Sequence, residues 1–299
     1  MMHTATVLFF LFLCLFSGSS VSVAQGETEN TITIVAWNIE WYPGKRPYAR
    51  AEEMRQHAAI AQAALARINP DIFLAQEIRN WQSFAELTDA VPDLRPVVVS
   101  SFPSSRTGEY WRQQLAIASK LPVKAAWSEG WQAGGLQPDR GFSAAAIRVP
   151  GSYHVILVYS LHLKSNRSSN EREARFNYKL REESIRQLLE HVRHMEDTVF
   201  KDLIVGVIVG GDFNTNQDEQ FGDNVMQQMQ DGGFYQTWGN TPREARLTWR
   251  GSNRFEPTTF DHIFTKGLGQ PQAELLEVPE ATSDHWPVRI TVPHSALRK

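Results

Sequence analysis

Leu203 to Val209 carries no polar side chain. A strand that is apolar on one face can leave the other to water, but a strand apolar on both must be covered on both. This segment therefore calls for further layers on either side of its sheet. Gly210-Gly211-Asp212-Phe213-Asn214 follows it directly. The glycines permit a backbone turn, and an acid and an amide two residues apart can point to the same side. An Asx turn at a strand end explains such residues structurally. An acid that binds a metal or orients water, with an amide that holds a phosphate oxygen, explains them chemically.

Polar residues at strand ends recur along the chain. Thr31 to Ala36 alternates and delivers Asn38 within Ala36-Trp37-Asn38-Ile39-Glu40-Trp41. Asp71 to Gln76 reads as a short strand leading into Glu77. His154 to Leu163 carries His162 inside Tyr159-Ser160-Leu161-His162-Leu163. Thr259 to Phe264 embeds Asp261, and Ser283-Asp284-His285 precedes the strand Pro287 to Val292. Further strands are predicted at Val97–Ser100, Leu115–Ser119, Ala144–Val149 and Leu247–Trp249. Helical spacing of Met54, Ala58, Ala61, Leu65 and Ile68 predicts a helix over Arg50–Ile68, stopped by Asn69-Pro70. Ile185, Leu188, Leu189 and Val192 predict a second over Arg172–Met195. Ser101–Arg112 and Ala126–Gly141 read as long loops. No repeat and no flexible linker divides the chain.

Residues 1–24 read as a secretory signal peptide, with an apolar run from Val7 to Phe16 and a small-x-small end at Ser22-Val23-Ala24. Residues 25–299 then form one domain of a secreted or periplasmic protein. Cys14, the sole cysteine, lies in that segment, so the remainder has no disulfide, thiolate metal site or cysteine nucleophile. A net charge of −3 excludes a generic polyanion binder, though locally clustered basic residues can still engage nucleic acid.

A polar residue such as Asn38 in so apolar a stretch must find partners or cost a few kcal/mol. A divalent cation bound by carboxylate and amide oxygens is one such partner. A histidine base needs an orienting carboxylate, and Asp261 can supply one to His285. His162 on an apolar strand is readable as a core residue or as a phosphate contact, and His262 as a structural residue. The order strand-Asn, strand-Gln-Glu, strand-His-Leu, strand-Gly-Asp-x-Asn, strand-Asp, Ser-Asp-His resembles the endonuclease/exonuclease/phosphatase superfamily over about Thr31 to Val292. That superfamily includes pancreatic-type deoxyribonucleases, abasic-site endonucleases, neutral sphingomyelinases and inositol-polyphosphate phosphatases.

The resemblance implies a four-layered α/β sandwich, two packed mixed sheets flanked by helices. It implies that Asn38 and Glu77 are metal-site residues and Asp284 a further metal contact. Asp212 and Asn214 would position water and phosphate, and His285, oriented by Asp261, would be the catalytic histidine. His162 would contact the scissile phosphate, with Arg140 a further phosphate contact. Oxygen ligands without thiolates favour Mg²⁺, with Mn²⁺ or Ca²⁺ as alternatives. One departure stands out. Pancreatic-type deoxyribonucleases place a Glu at the start of the middle strand, where this chain has Arg112-Gln113-Gln114 before Leu115 and its nearest acid is Glu109.

The expected activity is metal-dependent phosphodiester hydrolysis, with two substrate classes open. Lys164, Arg167, Arg172, Arg175, Lys179, Arg181 and Arg186 outnumber Glu171, Glu173, Glu182 and Glu183 after His162, which favours a nuclease acting on DNA or RNA. Trp127 and Trp131, if exposed, favour a lipid or small-molecule phosphoesterase. No stable protein partner is expected, and the chain is expected to be a monomer. A binding protein on an inactivated scaffold would lack a ligand or base, and none is missing. A metalloprotease would need His-Glu-x-x-His, which is absent.

Overall fold

The computed structural model describes residues 31–103, 113–132, 136, 138–218 and 220–297. The proposed signal peptide, Glu109 and most of the Ser101–Arg112 loop lie outside them. No described helix is long and apolar enough to cross a membrane.

Twelve strands form two sheets among the described residues. The first contains β1 (Thr31–Tyr42), β2 (Ile72–Ile78), β3 (Arg95–Val99), β4 (Gln114–Ser119), β11 (Glu274–Leu275) and β12 (Val288–Pro293) in the order β11-β12-β1-β2-β4-β3. The second contains β5 (Val123–Gly130), β6 (Gly141–Arg148), β7 (Val155–His162), β8 (Ile204–Asp212), β9 (Tyr235–Gln236) and β10 (Asp261–Lys266) in the order β5-β6-β7-β8-β10-β9. Each sheet is mixed. β1 runs parallel to β2 and antiparallel to β12, while β7 runs parallel to β8 and antiparallel to β6.

Side-chain alternation builds the layers. Ile32, Ile34 and Ala36 of β1 meet Ala145, Ile156, Val158 and Ile208 of the second sheet in a core between the sheets. Val35, Trp37 and Ile39, on the other face of β1, pack with Ala61 and Leu65 of α1 (Ala51–Ile68) and with Phe84 and Leu87 of α2 (Trp81–Thr88). On the far side, Leu157, Tyr159, Val207 and Val209 pack with Ile185, Leu188 and Val192 of α3 (Glu171–His194) and with Val225 and Met229 of α4 (Val225–Asp231). The result is helix, sheet, sheet, helix, as expected. Burying each aliphatic side chain contributes about 1.5–3 kcal/mol, so strands covered on both faces stabilise the molecule most.

Three local expectations need correction. Gly210-Gly211 makes no turn, because β8 continues through both glycines to Asp212. Gly211 is needed for close approach instead: its φ is +144° and a Cβ there would lie 2.1 Å from the Leu161 carbonyl oxygen of the neighbouring strand. Ala126–Gly141 is not all loop, since β5 runs to Gly130 and pairs with β6. Leu247–Trp249 contributes only bridges, from Trp249 to Thr258 and His285.

β8 also contains an irregularity that decides where Asp212 points. The ladder to β7 shifts register between Ile204 and Gly206. Val205 faces the inter-sheet core, yet Val207 faces α3 and Ile208 faces inward again. The inserted residue reverses the side-chain parity. Counting on from Ile208, Gly210 and Asp212 share the inward face.

Candidate active site

The inward faces of five strands meet at one end of the inter-sheet core. His162 and Asp261 each sit directly opposite Asp212 on the strands flanking β8. Asn38 lies two residues beyond inward Ala36 on β1. Period-two alternation would send Glu77 of β2 to the opposite face from Gln76. Its left-handed backbone, φ +62°, re-aims it, and its Oε1 comes within 4.0 Å of His162 Nδ1 on the other sheet. Such backbone is uncommon outside glycine and clusters at functional sites.

Asp212 is the hub. Its Oδ1 accepts from the Asn214 backbone N–H at 2.9 Å, and its Oδ2 accepts from Asn38 Nδ2 at 3.0 Å. The same Oδ2 lies 3.4 Å from His162 Nε2 and 3.9 Å from His285 Nε2. His285 is held from behind, with Nδ1 2.6 Å from Asp261 Oδ2. The Asp261 backbone N–H donates to Thr248 Oγ1 at 2.9 Å. The His285 carbonyl accepts from Trp37 Nε1 at 3.2 Å, and its N–H donates to Ser283 Oγ, which itself donates to the Asn38 carbonyl at 2.7 Å. The loop before β12 is thus sewn to the end of β1.

The environment drives the two histidines apart. Burial disfavours the charged form of both. At His285 the adjacent Asp261 carboxylate, with Asp212 and Asp284, overrides burial and raises the pKa well above the usual histidine value. At His162 burial prevails, and the charges of Arg140 and His285 add to it, so the pKa falls well below that value. Burial pushes the Asp212 carboxyl up to about 7, against the pull of His285 and with the push of Asp261. At neutral pH the site thus holds a cationic His285, a neutral His162 and a carboxyl poised near its midpoint, the separation that acid–base roles require.

Two groupings of side chains bear on metal binding. Asp212, Asp261 and His285 bring ligand-type atoms within 4.8 Å of one another, a set able to hold a metal ion. Because His285 Nδ1 and Asp261 Oδ2 already satisfy each other, that trio fits proton chemistry better. Around Glu77 the donors are oxygens. Glu77 Oε2 accepts from the Trp41 N–H at 2.8 Å, while Oε1 has only a long contact to Asn38 Nδ2, 3.4 Å. His162 Nδ1, facing Oε1, is buried without a hydrogen-bond partner. Asp284, half exposed, is oriented by Trp249 Nε1 donating to Oδ2 at 3.0 Å, and its N–H donates to Glu40 Oε2 at 3.1 Å. An under-satisfied carboxylate among further acids fits a hard divalent cation. Asn38 takes part through its amide hydrogens, which bridge Glu77 and Asp212, while its Oδ1 accepts from the Glu40 N–H at 3.1 Å.

The remaining candidates occupy the rim. Arg140 Nη1 donates to the His162 carbonyl at 3.0 Å and Nη2 to Gln113 Oε1 at 3.1 Å. Gln113, just before β4, therefore braces Arg140, and His162 takes its orientation from Asp212. Asn214 has φ +52° and donates from Nδ2 to the Leu163 carbonyl at 3.2 Å, so it ties the ends of β7 and β8 together. Its own carbonyl accepts from Asn166 Nδ2. His262 is structural as expected, buried with Nε2 3.0 Å from the Thr215 carbonyl.

Three residues that sequence pattern does not mark out also shape the site. Glu40 and Trp249 position Asp284, and Thr248 positions Asp261. The one sequence signal for Glu40 is that, like Asn38, it is a polar residue set in the otherwise apolar stretch 36–41. Trp131 is buried against Phe142, and Trp127 stacks on Phe200 of its own domain. Neither offers the exposed ring that a lipid-facing role would need.

Known proteins share this fold. Residues 35–285 match the model of the Endonuclease/Exonuclease/phosphatase family. Truncated TDP2 of Caenorhabditis elegans is similar in fold, at 16% identity over 88% of this chain and 98% of that chain, with a TM-score of 0.60. An endonuclease/exonuclease/phosphatase from Beutenbergia cavernae DSM 12333 is 17% identical over 88% of this chain and 71% of its own, TM-score 0.62. Beta toxin 275-280 from Staphylococcus aureus is 17% identical over 87% of this chain and 99% of its own, TM-score 0.59. At such identities the likeness is one of fold. No curated protein matches the chain by sequence.

Proposed function

The chain belongs to the endonuclease/exonuclease/phosphatase family of metal-dependent phosphoric-ester hydrolases, and from that premise we propose that it is an exported nuclease that hydrolyses phosphodiester bonds by in-line attack of water. The observation that carries this reading is the convergence of Asn38, His162 and His285 on one oxygen of Asp212, at 3.0, 3.4 and 3.9 Å. Export rests on the apolar N-terminal segment, and the nuclease assignment on the basic stretch that follows His162.

A divalent cation at Glu77, with Asn38 and Asp284 beside it, would supply Lewis-acid stabilisation of the phosphoryl oxygens; Mg²⁺ suits these oxygen donors, as do Mn²⁺ and Ca²⁺. Asp212 is the group that takes the proton of the attacking water, because its carboxyl, raised by burial to about 7, can accept and release a proton near neutral pH. The Asn38 and Asn214 hydrogen bonds fix that carboxyl in one orientation. Cationic His285, backed by Asp261, donates a hydrogen bond to a phosphoryl oxygen as negative charge accumulates on it. Neutral His162 contacts the phosphate from the other side, with Arg140 behind it.

The test is purified protein with Mg²⁺, Mn²⁺ or Ca²⁺ against plasmid DNA, RNA, sphingomyelin and inositol phosphates, with EDTA controls. Metal-dependent cutting of nucleic acid is expected. Intact plasmid and RNA beside hydrolysed lipid or inositol phosphate would refute the nuclease assignment and move the substrate to that class.

A further inference from the structure

Helix α3 turns a cationic face to solvent one loop away from the catalytic residues. Arg172, Arg175, Phe176 and Lys179 follow one another at i, i+3, i+4 and i+7, so they share one side of the helix. With Asn170 and Glu173 they line an open groove of about 520 Å³. Phe176 remains 49% exposed there, a flat apolar ring set among cations. The neighbouring acids are already engaged. Glu171 pairs with Arg175 at 3.3 Å, and Glu173 accepts from the Ser169 N–H and hydroxyl at 2.7 Å. Arg172 and Lys179 form no ion pair among the described residues.

The groove is mechanically joined to the site. Residues 163–169 alone separate His162 from Asn170, the N-cap of α3. Asn177 Nδ2 donates to the Arg167 carbonyl at 3.0 Å and Arg181 Nη1 to the Lys164 carbonyl at 2.9 Å. Asn166 on the same loop reaches the Asn214 carbonyl. A polymer anchored on α3 would therefore have its path set relative to His162 and Asp212.

We propose that this face of α3 docks a single-stranded stretch of nucleic acid, with a base stacked on Phe176 and backbone phosphates held by Arg172 and Lys179. The proposal rests on the nuclease reading and extends it. Cations flanking an exposed ring match the alternation of phosphates and base faces along a single strand. A duplex hides its base faces from the ring, and a membrane surface would call for several apolar side chains where this face offers one.

The test is fluorescence anisotropy of the whole protein with a labelled oligothymidylate in EDTA, titrated at several salt concentrations. Phe176→Ala should weaken binding by about five- to a hundredfold, and Phe176→Trp should retain it. Arg172→Gln with Lys179→Gln should flatten the log–log salt dependence by about 0.7 for each phosphate no longer neutralised. Both variants should hydrolyse bis(p-nitrophenyl) phosphate at the wild-type rate and melt at the wild-type temperature. Unaltered oligonucleotide binding in both variants would overturn the docking face while leaving nuclease activity standing. Loss of phosphatidylglycerol-vesicle binding in the variants, with oligonucleotide binding intact, would overturn it in favour of a lipid surface. Strand binding that depends on these residues in an enzyme that cuts no nucleic acid would support the docking face and overturn the nuclease reading.

Discussion

Asp261 Oδ2 lies 2.6 Å from His285 Nδ1, a contact that joins a strand of the second sheet to the loop entering the last strand of the first. Asp261 is fully buried and keeps one carboxylate oxygen without a partner, so its charge is directed at the imidazole. Asp261→Asn should lower kcat by about 10²–10⁴-fold. Since His285 acts in its charged form, activity is lost as pH rises through its pKa. Removing the carboxylate lowers that pKa, so the alkaline limb of the kcat profile should move toward acid. An unmoved limb would show that another group titrates there.

Metal binding should be tied to the Asp212 carboxyl. Its pKa is raised from 3.8 to about 7 in the folded chain. A raised acid binds its proton more tightly folded than unfolded, so its stabilisation is present below 3.8 and is lost as pH rises through 7. A cation beside the ionised carboxylate compensates for that loss, and protons compete with it. The melting-temperature gain on adding Mg²⁺ to EDTA-treated protein should be larger at pH 8 than at pH 5. Equal gains would place the metal away from this cluster.

His57 should make the protein acid-sensitive through a group outside the catalytic cluster. Its Nδ1 accepts from the Gly44 N–H at 2.8 Å, and its Nε2 lies 2.7 Å from the Thr282 carbonyl. Burial lowers its pKa from 6.5 to about 4, partly opposed by the bond to Thr282. The unfolded chain therefore binds the proton more readily between those values, and stability falls as pH drops from 6.5 toward 4. The full effect is on the order of 3 kcal/mol. Urea denaturation across this range should show a shallower pH dependence for His57→Gln than for wild type. His262 shifts the same way, so the difference between the two proteins is the informative quantity.

Gly211→Ala should disrupt structure and catalysis together. The added methyl would meet the Leu161 backbone, and the +144° φ is unfavourable for any L side chain. A loss of at least about 2 kcal/mol is expected, read as a lower melting temperature. Because Gly211 immediately precedes Asp212 and pairs with Leu161, the residue before His162, kcat should fall well below wild type even at temperatures where the variant stays folded. Wild-type turnover in the folded variant would show that strand spacing here is not critical.

Much of this is legible in the residues. The unbroken apolar run before Asp212 requires burial on both faces, and the alternation of Thr31 to Ala36 places Asn38 on the inward side. Other features depend on backbone conformation, which single-residue patterns do not encode. Glu77 reaches the site through a left-handed backbone that overrides strand alternation. Asp212 points inward because of an extra residue near Gly206. Gly210-Gly211 suggests a turn because glycine permits one, but its use here is to let two strands approach. β5 is hidden at the start of a stretch rich in Gly, because its exposed edge carries little hydrophobic signal. Gln113, in the Arg112-Gln113-Gln114 stretch read against the deoxyribonuclease pattern's carboxylate, braces Arg140 instead.

Asn38 and Glu77 are carried by one sheet, His162, Asp212 and Asp261 by the other. Sliding the two halves by a single residue would leave every ladder of hydrogen bonds intact and yet dismantle the chemistry. Turnover is thus a vernier for the alignment of the two halves: during refolding, activity should emerge only after strand-level signals have already saturated.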